Sequence, residues 1–304
     1  MISFRQHVVT IVAVFLALAL GMLAGSAFIQ PRLVETLETR VDEQLDTIEG
    51  LRDEIGQLRD RFAAEQVFND VALPHLTAGR LPDQDVVVIA QEGVEDEVVD
   101  VTRQALAEAG ASTVILSARE SLAAEDPEVQ AALAELLGLP GADPGDLPRL
   151  TAEALADRLA SDGGGEIDSD LLHALLTEGY LAPVDANISD TTLATLGGPD
   201  QLVVVLAGGA AEEPAMRPED FSLPLVERLA DLGLWVGAGE SVGTLVPFVP
   251  LLRAGGVDGV VTVDDLDESR GGASLVLGLE RLVLTGDGGD YGVKGEALPL
   301  PPLP

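Results

Sequence analysis

The acidic side chains that follow one predicted strand are the first group in this sequence that could do chemistry. Hard cations such as Ca²⁺ are bound through oxygen, and this run offers the carboxylates of Asp264, Asp265, Asp267 and Glu268. Asp287 and Asp290 stand among glycines and offer a second, sparser set. Acidic runs are also common in solvated loops, so the pattern leaves a cation site and an ordinary surface loop both open.

A glycine-rich segment precedes the acidic run. Residues 237–243 read GAGESVG, a GxGxxxG pattern similar to a dinucleotide-binding loop, with Asp264 about one strand later. Two features oppose that interpretation. Pro247 and Pro250 are expected to break the helix whose N-terminus should hold the phosphate, and Glu240 would repel a pyrophosphate. We therefore expect a tight structural turn, with nucleotide binding as the alternative.

Histidine and methionine are scarce and scattered, and cysteine is absent. The lack of cysteine excludes disulfides, thiolate metal sites and thiol catalysis. The side chains that remain show neither the spacing of metal ligands nor a nucleophile motif; they are His7, His75, His173, Met1, Met22 and Met216. We therefore predict no catalytic, cofactor-binding or metal-binding residues, no cofactor, and a protein that is not an enzyme.

Five short apolar runs are predicted to form the strands that position these side chains. They are residues 86–90, 113–117, 202–206, 234–238 and 259–263. Helical spacing between them predicts an α/β fold with a Rossmann-like, doubly wound, mostly parallel five-stranded sheet in an extracytoplasmic domain over 85–290. Ligands bind past the carboxyl ends of such strands, which here also carry Gln91, Glu92, Ser117, Gly208, Gly209, Glu240 and Ser241.

The segment between the second and third predicted strands is long and helical. Residues 119–197 contain helical patterns over 125–137, 151–160 and 168–178, separated by turns rich in proline and glycine. We interpret this segment as a helical insertion in the α/β domain. After the sheet, residues 291–304 form a Pro-rich tail, whose final segment LPLPPLP is expected to be extended and mobile.

An apolar segment near the N-terminus is predicted to be a transmembrane helix. Residues 8–29 are uncharged, and at about 1.5 Å per residue they span roughly 33 Å, enough for a bilayer core. Arg5 precedes the span and acidic residues follow it, which favours a cytoplasmic stub over 1–7 and an extracytoplasmic remainder. Small residues at 24–27 leave a cleaved signal peptide as the alternative.

Residues 31–68 are predicted to form a coiled-coil stalk, with a linker over 69–84. Pro31 suits the first turn of a new helix, and apolar residues then recur at spacings of four and three. Mostly β-branched residues at position a and leucine at d favour a parallel dimer. The a residues are Val41, Ile48, Ile55 and Phe62, and the d residues are Leu37, Gln44, Leu51 and Leu58.

Two further patterns support pairing of the helices. Glu54 at g would attract Arg59 at the following e position of a second helix, and Gly21 with Gly25 forms a GxxxG pattern that lets two helices approach closely in lipid. The predicted partner is a second copy of the chain, bound through Val41, Ile48, Leu51, Ile55, Leu58 and Phe62. The alternative is one amphipathic helix that lies on its own domain.

The charge balance excludes another class of partner. The chain has 304 residues, with 17 Lys and Arg against 52 Asp and Glu, so its net charge is −35. A chain of this charge repels nucleic acid and anionic lipid headgroups. We therefore predict no nucleic-acid partner, and contact with the membrane only through residues 8–29.

Several of these segments together resemble the mycobacterial copper transport protein B (MctB) family of actinobacteria. The resemblance extends over nearly the whole chain, and its most specific parts are Ile2–His7, which reads ISFRQH, and the strand end Thr262–Asp267. Residues 1–26, the predicted coiled coil, the unit at 85–117 and the pair Tyr291–Gly292 belong to it as well.

The resemblance implies a role in copper transport or copper homeostasis, with copper ions as cargo that have no fixed protein site. Because one helix per chain cannot form a conduit, such a role requires a coiled-coil oligomer. The anchor predicts a single-pass protein of the cell membrane, with the outer membrane or a cleaved, secreted form as alternatives. The same layout also fits a non-enzymatic envelope scaffold or a cell-division-type bitopic protein.

Overall fold

The computed structural model describes residues 4–161, 170–185 and 195–302, and for residues 26–39 it describes the backbone alone. Several predicted features therefore lie outside the described residues, among them the side chain of Leu37 at position d and the glycines at 163–165. The chain divides into two compact units, residues 1–65 and residues 66–304. Each unit is described by itself below.

The first unit is formed by most of helix α1, Phe4–Thr77, which has 74 residues and extends into the second unit. The backbone is helical through Pro31, where the sequence predicts that a new helix begins, and through the first part of the predicted linker. A proline inside a helix costs about 3 kcal/mol. The apolar span and the heptad segment on its two sides both favour helix, so together they outweigh that cost.

The second unit is built on a sheet whose described strands number seven, in the order β3-β2-β1-β4-β5-β6-β7. The strands are β1 Asp85–Gln91, β2 Ser112–Ala118, β3 Leu181–Pro183, β4 Leu202–Leu206, β5 Trp235–Gly239, β6 Val260–Val263 and β7 Gly289–Tyr291. Neighbouring strands are parallel except β2 and β3, which are antiparallel. The predicted α/β class and the mostly parallel sheet are confirmed.

The predicted number of strands is wrong, because the described residues form seven strands and the sequence predicts five. The five apolar runs correspond to β1, β2, β4, β5 and β6. The other two strands, β3 and β7, have three residues each and form the two edges of the sheet. A segment of that length shows no periodicity, so its strand character comes from pairing with a neighbour.

Helices cover both faces of this sheet, as a doubly wound fold requires. On one face, strand residues such as Val87 and Val203 pack in an apolar cluster with helices of the insertion and with those after β4 and β5. On the other face, Val88 and Val204 pack with the helices that follow β1 and β6. These helices are α2 Asp96–Glu108, α3 Pro127–Leu136, α4 Leu147–Ala160, α5 Leu171–Thr177, α6 Ser222–Asp231, α7 Val249–Gly255 and α8 Ser269–Thr285.

Two local expectations differ from the structure. Pro250 lies in the first turn of α7 and does not prevent that helix, because the first turn has no hydrogen bond for its missing N–H to break. After β7 the chain turns back, so that Leu298 pairs with Tyr291 and the Gly292 N–H donates to the Leu298 carbonyl at 2.9 Å. Residues 291–298 are therefore held on the sheet, whereas the sequence predicts that they belong to a Pro-rich tail after it.

Candidate functional site

Glu240, which follows β5, is fully buried and is paired with the only lysine of the chain. Lys294 Nζ donates to Glu240 Oε1 at 2.8 Å and to the Ser241 carbonyl at 2.9 Å. The other oxygen, Oε2, accepts the backbone N–H groups of Phe248 and Val249 at 2.6 and 3.0 Å. The chain's own carboxylate therefore occupies the start of α7, which in a dinucleotide loop would be the position of the phosphate.

Asp264, which follows β6, is also fully buried and holds the segment after β7. Its Oδ2 forms an ion pair with Arg253 on α7, and its Oδ1 accepts the N–H groups of Val293 and Lys294 at 2.7 and 3.1 Å. Gly292 has φ +125°, and a Cβ at this position would collide with the Asp264 carboxyl group. The chain after β7 thus covers the carboxyl ends of β5 and β6.

Arg253 and Lys294 are the residues of this network that sequence reasoning missed. Arg253 also donates to Thr262 Oγ1 and to the Tyr291 carbonyl, both at 2.9 Å. Neither basic residue lies at a spacing from Asp264 that marks a motif. The one signal in the sequence was that Lys294 is the sole lysine of a strongly acidic chain.

Asp265 is fully buried near the start of α8, and only one oxygen of its carboxylate is paired. Arg270 Nη2 lies 2.9 Å from Oδ2, whereas Oδ1 has no hydrogen-bond partner among the described residues. Burial raises the pKa of Asp265 to about 6, against the lowering effect of Arg270, and the negative charge of Asp264 contributes to the increase. This carboxyl group therefore titrates much closer to neutrality than an exposed aspartate does.

Each carboxylate of the acidic run has a partner within the chain. Asp264 and Asp265 each pair with an arginine, Asp267 accepts the N–H of Val242 at 2.8 Å, and Glu268 lies 3.4 Å from the same arginine as Asp265. Within residues 4–161, 170–185 and 195–302, no group of three or more His, Cys, Asp or Glu residues could hold a metal ion. Each of these carboxylates already has a partner within the chain, which gives the run a structural role, but Asp264 and Asp265 are fully buried and so do not form the solvated surface loop that the sequence left open.

The first glycines of the GxGxxxG pattern lie inside β5, where they make room for apolar side chains. A Cβ on Gly237 would lie 3.2 Å from both Leu275 and Leu279 on α8, and a Cβ on Gly239 would collide with Leu266. Small residues at these positions let α8 and the chain before it pack closely on the sheet. This packing gives a structural reason for both glycines and supports the structural interpretation over nucleotide binding.

The scattered candidates for catalysis or copper binding stay on separate elements. His7 and His75 are exposed on α1, in different units, and His173 is half-buried on α5. Met216 is buried in the apolar core beside α6. Asp290, of the sparser acidic pair, accepts a hydrogen bond from a threonine hydroxyl at 2.7 Å. The structure therefore brings none of these side chains into a common site within the part of the chain it describes.

The carboxyl ends of β1, β2 and β4 carry the other predicted ligand-binding positions. Two cavities of about 270 and 350 Å³ lie there, and both are lined by Gln91, Glu92 and Gly93. Gly208 and Gly209 line the smaller cavity and Ser117 lines the larger one. These positions flank the point between β1 and β4 at which the strand order reverses, the usual ligand position in a doubly wound sheet.

The heptad stripe of the first unit is an exposed apolar surface. The predicted apolar residues of the dimer interface are each at least 43% exposed; they are Val41, Ile48, Leu51, Ile55, Leu58 and Phe62. Leu45, which the heptad pattern does not include, is exposed to a similar degree. Toward the N-terminus, the described segment Phe4–Gly25 is long and apolar enough to cross a membrane, with a mean hydropathy of 2.6. It overlaps the predicted span.

Comparison with known proteins gives matches over nearly the whole chain. The family model described as "Copper transport outer membrane protein, MctB" matches residues 1–302. The proteins named copper transporter MctB from Mycobacterium bovis and Mycobacterium tuberculosis are 26% identical over 317 residues, which covers 98% of each chain. The protein of the same name from Mycobacterium leprae is 27% identical over 312 residues, or 96% of each chain. These matches confirm the resemblance predicted from the sequence.

Proposed function

Because this chain belongs to the MctB family, we propose that it is a membrane-anchored protein of copper transport or copper homeostasis that acts as a coiled-coil oligomer. The match over residues 1–302 carries this proposal, since it covers the apolar helix, the heptad segment and the α/β domain alike. Copper is the cargo in this proposal, without a fixed site in the chain. We also infer that the protein is not an enzyme.

The proposed layout has six parts. Residues 1–7 are a cytoplasmic stub, 8–29 a single membrane span and 31–68 a coiled-coil stalk, followed by a linker over 69–84. Residues 85–290 form the extracytoplasmic domain, in which 119–197 are an insertion, and 291–304 follow it. The apolar segment Phe4–Gly25 supports the anchor in the cell membrane, whereas the family description favours the outer membrane.

The exposed heptad stripe supports the oligomer. Burial of apolar surface stabilises by about 25 cal/mol per Å², so a row of large apolar side chains in water is a strong reason for two helices to pair. The residues at a and d favour a parallel dimer with the same residues of two chains facing each other. Several such dimers around one path would give copper a route that one helix per chain cannot form.

The test is a deletion of the gene followed by measurement of cell copper and copper sensitivity. We expect both to rise in the deletion strain and to return to normal when the full-length gene is restored. A gene that encodes Ile48→Asp together with Ile55→Asp should not restore them, because carboxylates at position a prevent pairing, whereas Asp46→Asn with Asp53→Asn on the outer face should. Unchanged copper in the deletion strain would overturn the proposal.

A non-enzymatic envelope scaffold is the second candidate. The pairing of each carboxylate in the acidic run with a partner in the chain favours it, since a scaffold needs no ligand at that edge. If the deletion leaves cell copper unchanged, affinity purification through residues 33–68 should recover envelope proteins in the scaffold case. Recovery that persists after the aspartate substitutions at Ile48 and Ile55 would argue against the stalk as the binding surface.

A further inference from the structure

We propose that the crevice between the carboxyl ends of β1 and β4 binds a small organic cation with an ammonium or guanidinium group. The crevice is the smaller of the two cavities described above, about 270 Å³, at the reversal of the strand order. This volume is equivalent to roughly nine water molecules, so the crevice suits a small molecule better than an extended polymer.

One wall of the crevice is fixed from inside the protein. Gln91 is only 3% exposed, and its amide group donates to the Met216 carbonyl at 2.6 Å and accepts from Ser222 Oγ. These bonds hold the chain around Pro214 and Pro218, which line the crevice. Since both prolines restrict the backbone, the wall is formed before any ligand arrives.

The charge on the lining decides the class of ligand. Among the described residues, Glu120 and Glu213 line the crevice and have exposed carboxylates without a hydrogen-bond or ion-pair partner, whereas Glu92 is paired with Arg119 at 3.3 Å and accepts the Glu120 N–H at 2.7 Å. Lysine and arginine are absent from the lining within the part of the chain that the structure describes. Phosphates and carboxylates would be repelled, while an ammonium or guanidinium group can form charge-assisted hydrogen bonds to both free carboxylates.

The rest of the lining suits the aliphatic part of such a ligand. Ala211, Ala215 and Val246 offer apolar surface beside the carboxylates. An alkyl amine or alkyl guanidine combines the two kinds of group that this crevice complements. A hydrated metal ion fits less well, because no three potential ligands converge within the described residues.

The experiment is isothermal titration calorimetry of the full chain in detergent, at physiological ionic strength, with agmatine as the probe. We expect saturable binding of one agmatine per chain, with the Kd at least tenfold weaker after Glu120→Gln and Glu213→Gln together. Glu135→Gln with Glu227→Gln is the matched control, since it removes the same charge from exposed glutamates on α3 and α6. Ala215→Leu should also weaken binding, by filling the crevice.

Two results would overturn the proposal. One is the absence of saturable heat for agmatine with the unmodified chain. The other is an equal loss of binding in the two glutamine pairs, which would mean that agmatine responds to the overall charge of −35 and not to the crevice. Circular dichroism of every variant confirms that each has kept its fold. The proposal does not depend on copper transport, so either can fail without the other.

Discussion

Among single residues, Lys294 makes a contact whose loss should destabilise the domain strongly. Its partner Glu240 is fully buried, and removal of one partner from a buried pair costs about 3–5 kcal/mol because a charge is left uncompensated. Lys294 keeps 26% of its side chain exposed, so we expect Lys294→Met to lower the free energy of unfolding by about 3 kcal/mol. Urea unfolding of the full chain measures it.

The control for this prediction is Lys294→Met combined with Glu240→Gln. The double variant leaves no charge at position 240, while the glutamine oxygen can still accept the N–H groups of Phe248 and Val249. It should therefore be more stable than Lys294→Met alone. Equal stability of the two variants would mean that the pair contributes little and that the lysine stem, rather than its charge, holds the segment after β7.

The raised pKa of Asp265 predicts that the free energy of unfolding depends on pH with a sign that is unusual for an aspartate. Because its pKa is about 6 in the folded chain against an ordinary 3.8, the folded state binds more protons than the unfolded state between these values. Stability therefore falls as the pH rises through this window, by up to roughly 3 kcal/mol. Asp265→Asn should flatten the slope of unfolding free energy against pH from 4 to 6. An unchanged slope would contradict this account of the buried carboxyl group.

The sequence indicates half of this network. Glu240, Asp264 and Asp265 are recognisable because each lies within two residues of the end of a predicted apolar run. Arg253 and Lys294 are not, because they reach those carboxylates only after the chain has turned back, 11 and 30 residues from Asp264. The pairing of these acids is therefore a property of the tertiary structure, and the acidic run alone leaves a cation site open.

At the scale of elements, prediction succeeds where a run of residues is buried on both sides. The third apolar run, 202–206, coincides with β4. Each end of the other four runs lies within one residue of the corresponding end of its strand. Edge strands such as Leu181–Pro183 carry no such signal, since only the pairing with β2 makes them strands. Pro31 predicts the start of a new helix, but the strong helical preference on both sides of it keeps the backbone helical through this position.

The heptad stripe gives the element-scale prediction. The chain has no cysteine, so one cysteine per variant reports on its own position. Leu51→Cys at d should form a disulfide-linked dimer when membranes are oxidised, because the same residue of two parallel helices meets at the seam. Asp53→Cys at f, on the outer face, should stay monomeric. Monomers from both variants would favour the single amphipathic helix, and dimers from both would indicate random collision.

At the scale of the whole molecule, the net charge of −35 is the dominant property. Uncompensated carboxylates repel one another, and this repulsion opposes the compact state more than the unfolded one. The stability that ion pairs contribute depends on salt in the opposite direction, because screening also weakens their attraction. With 52 acidic against 17 basic residues, at least two-thirds of the acids have no basic partner of their own, so repulsion should exceed attraction.

We therefore expect the thermal stability of the full chain in detergent to rise with salt. The Debye length falls from about 30 Å at 0.01 M to about 3 Å at 1 M, so most of the repulsion between surface carboxylates should be screened over that range. A gain of 1 kcal/mol corresponds to a rise in Tm of roughly 2–4 °C for a domain of this size. Differential scanning calorimetry in choline chloride and in sodium chloride separates screening, which should be equal in the two salts, from binding of sodium. A Tm that falls with salt would mean that the buried pairs around Glu240 and Asp264, rather than the surface acids, determine the electrostatic contribution to stability.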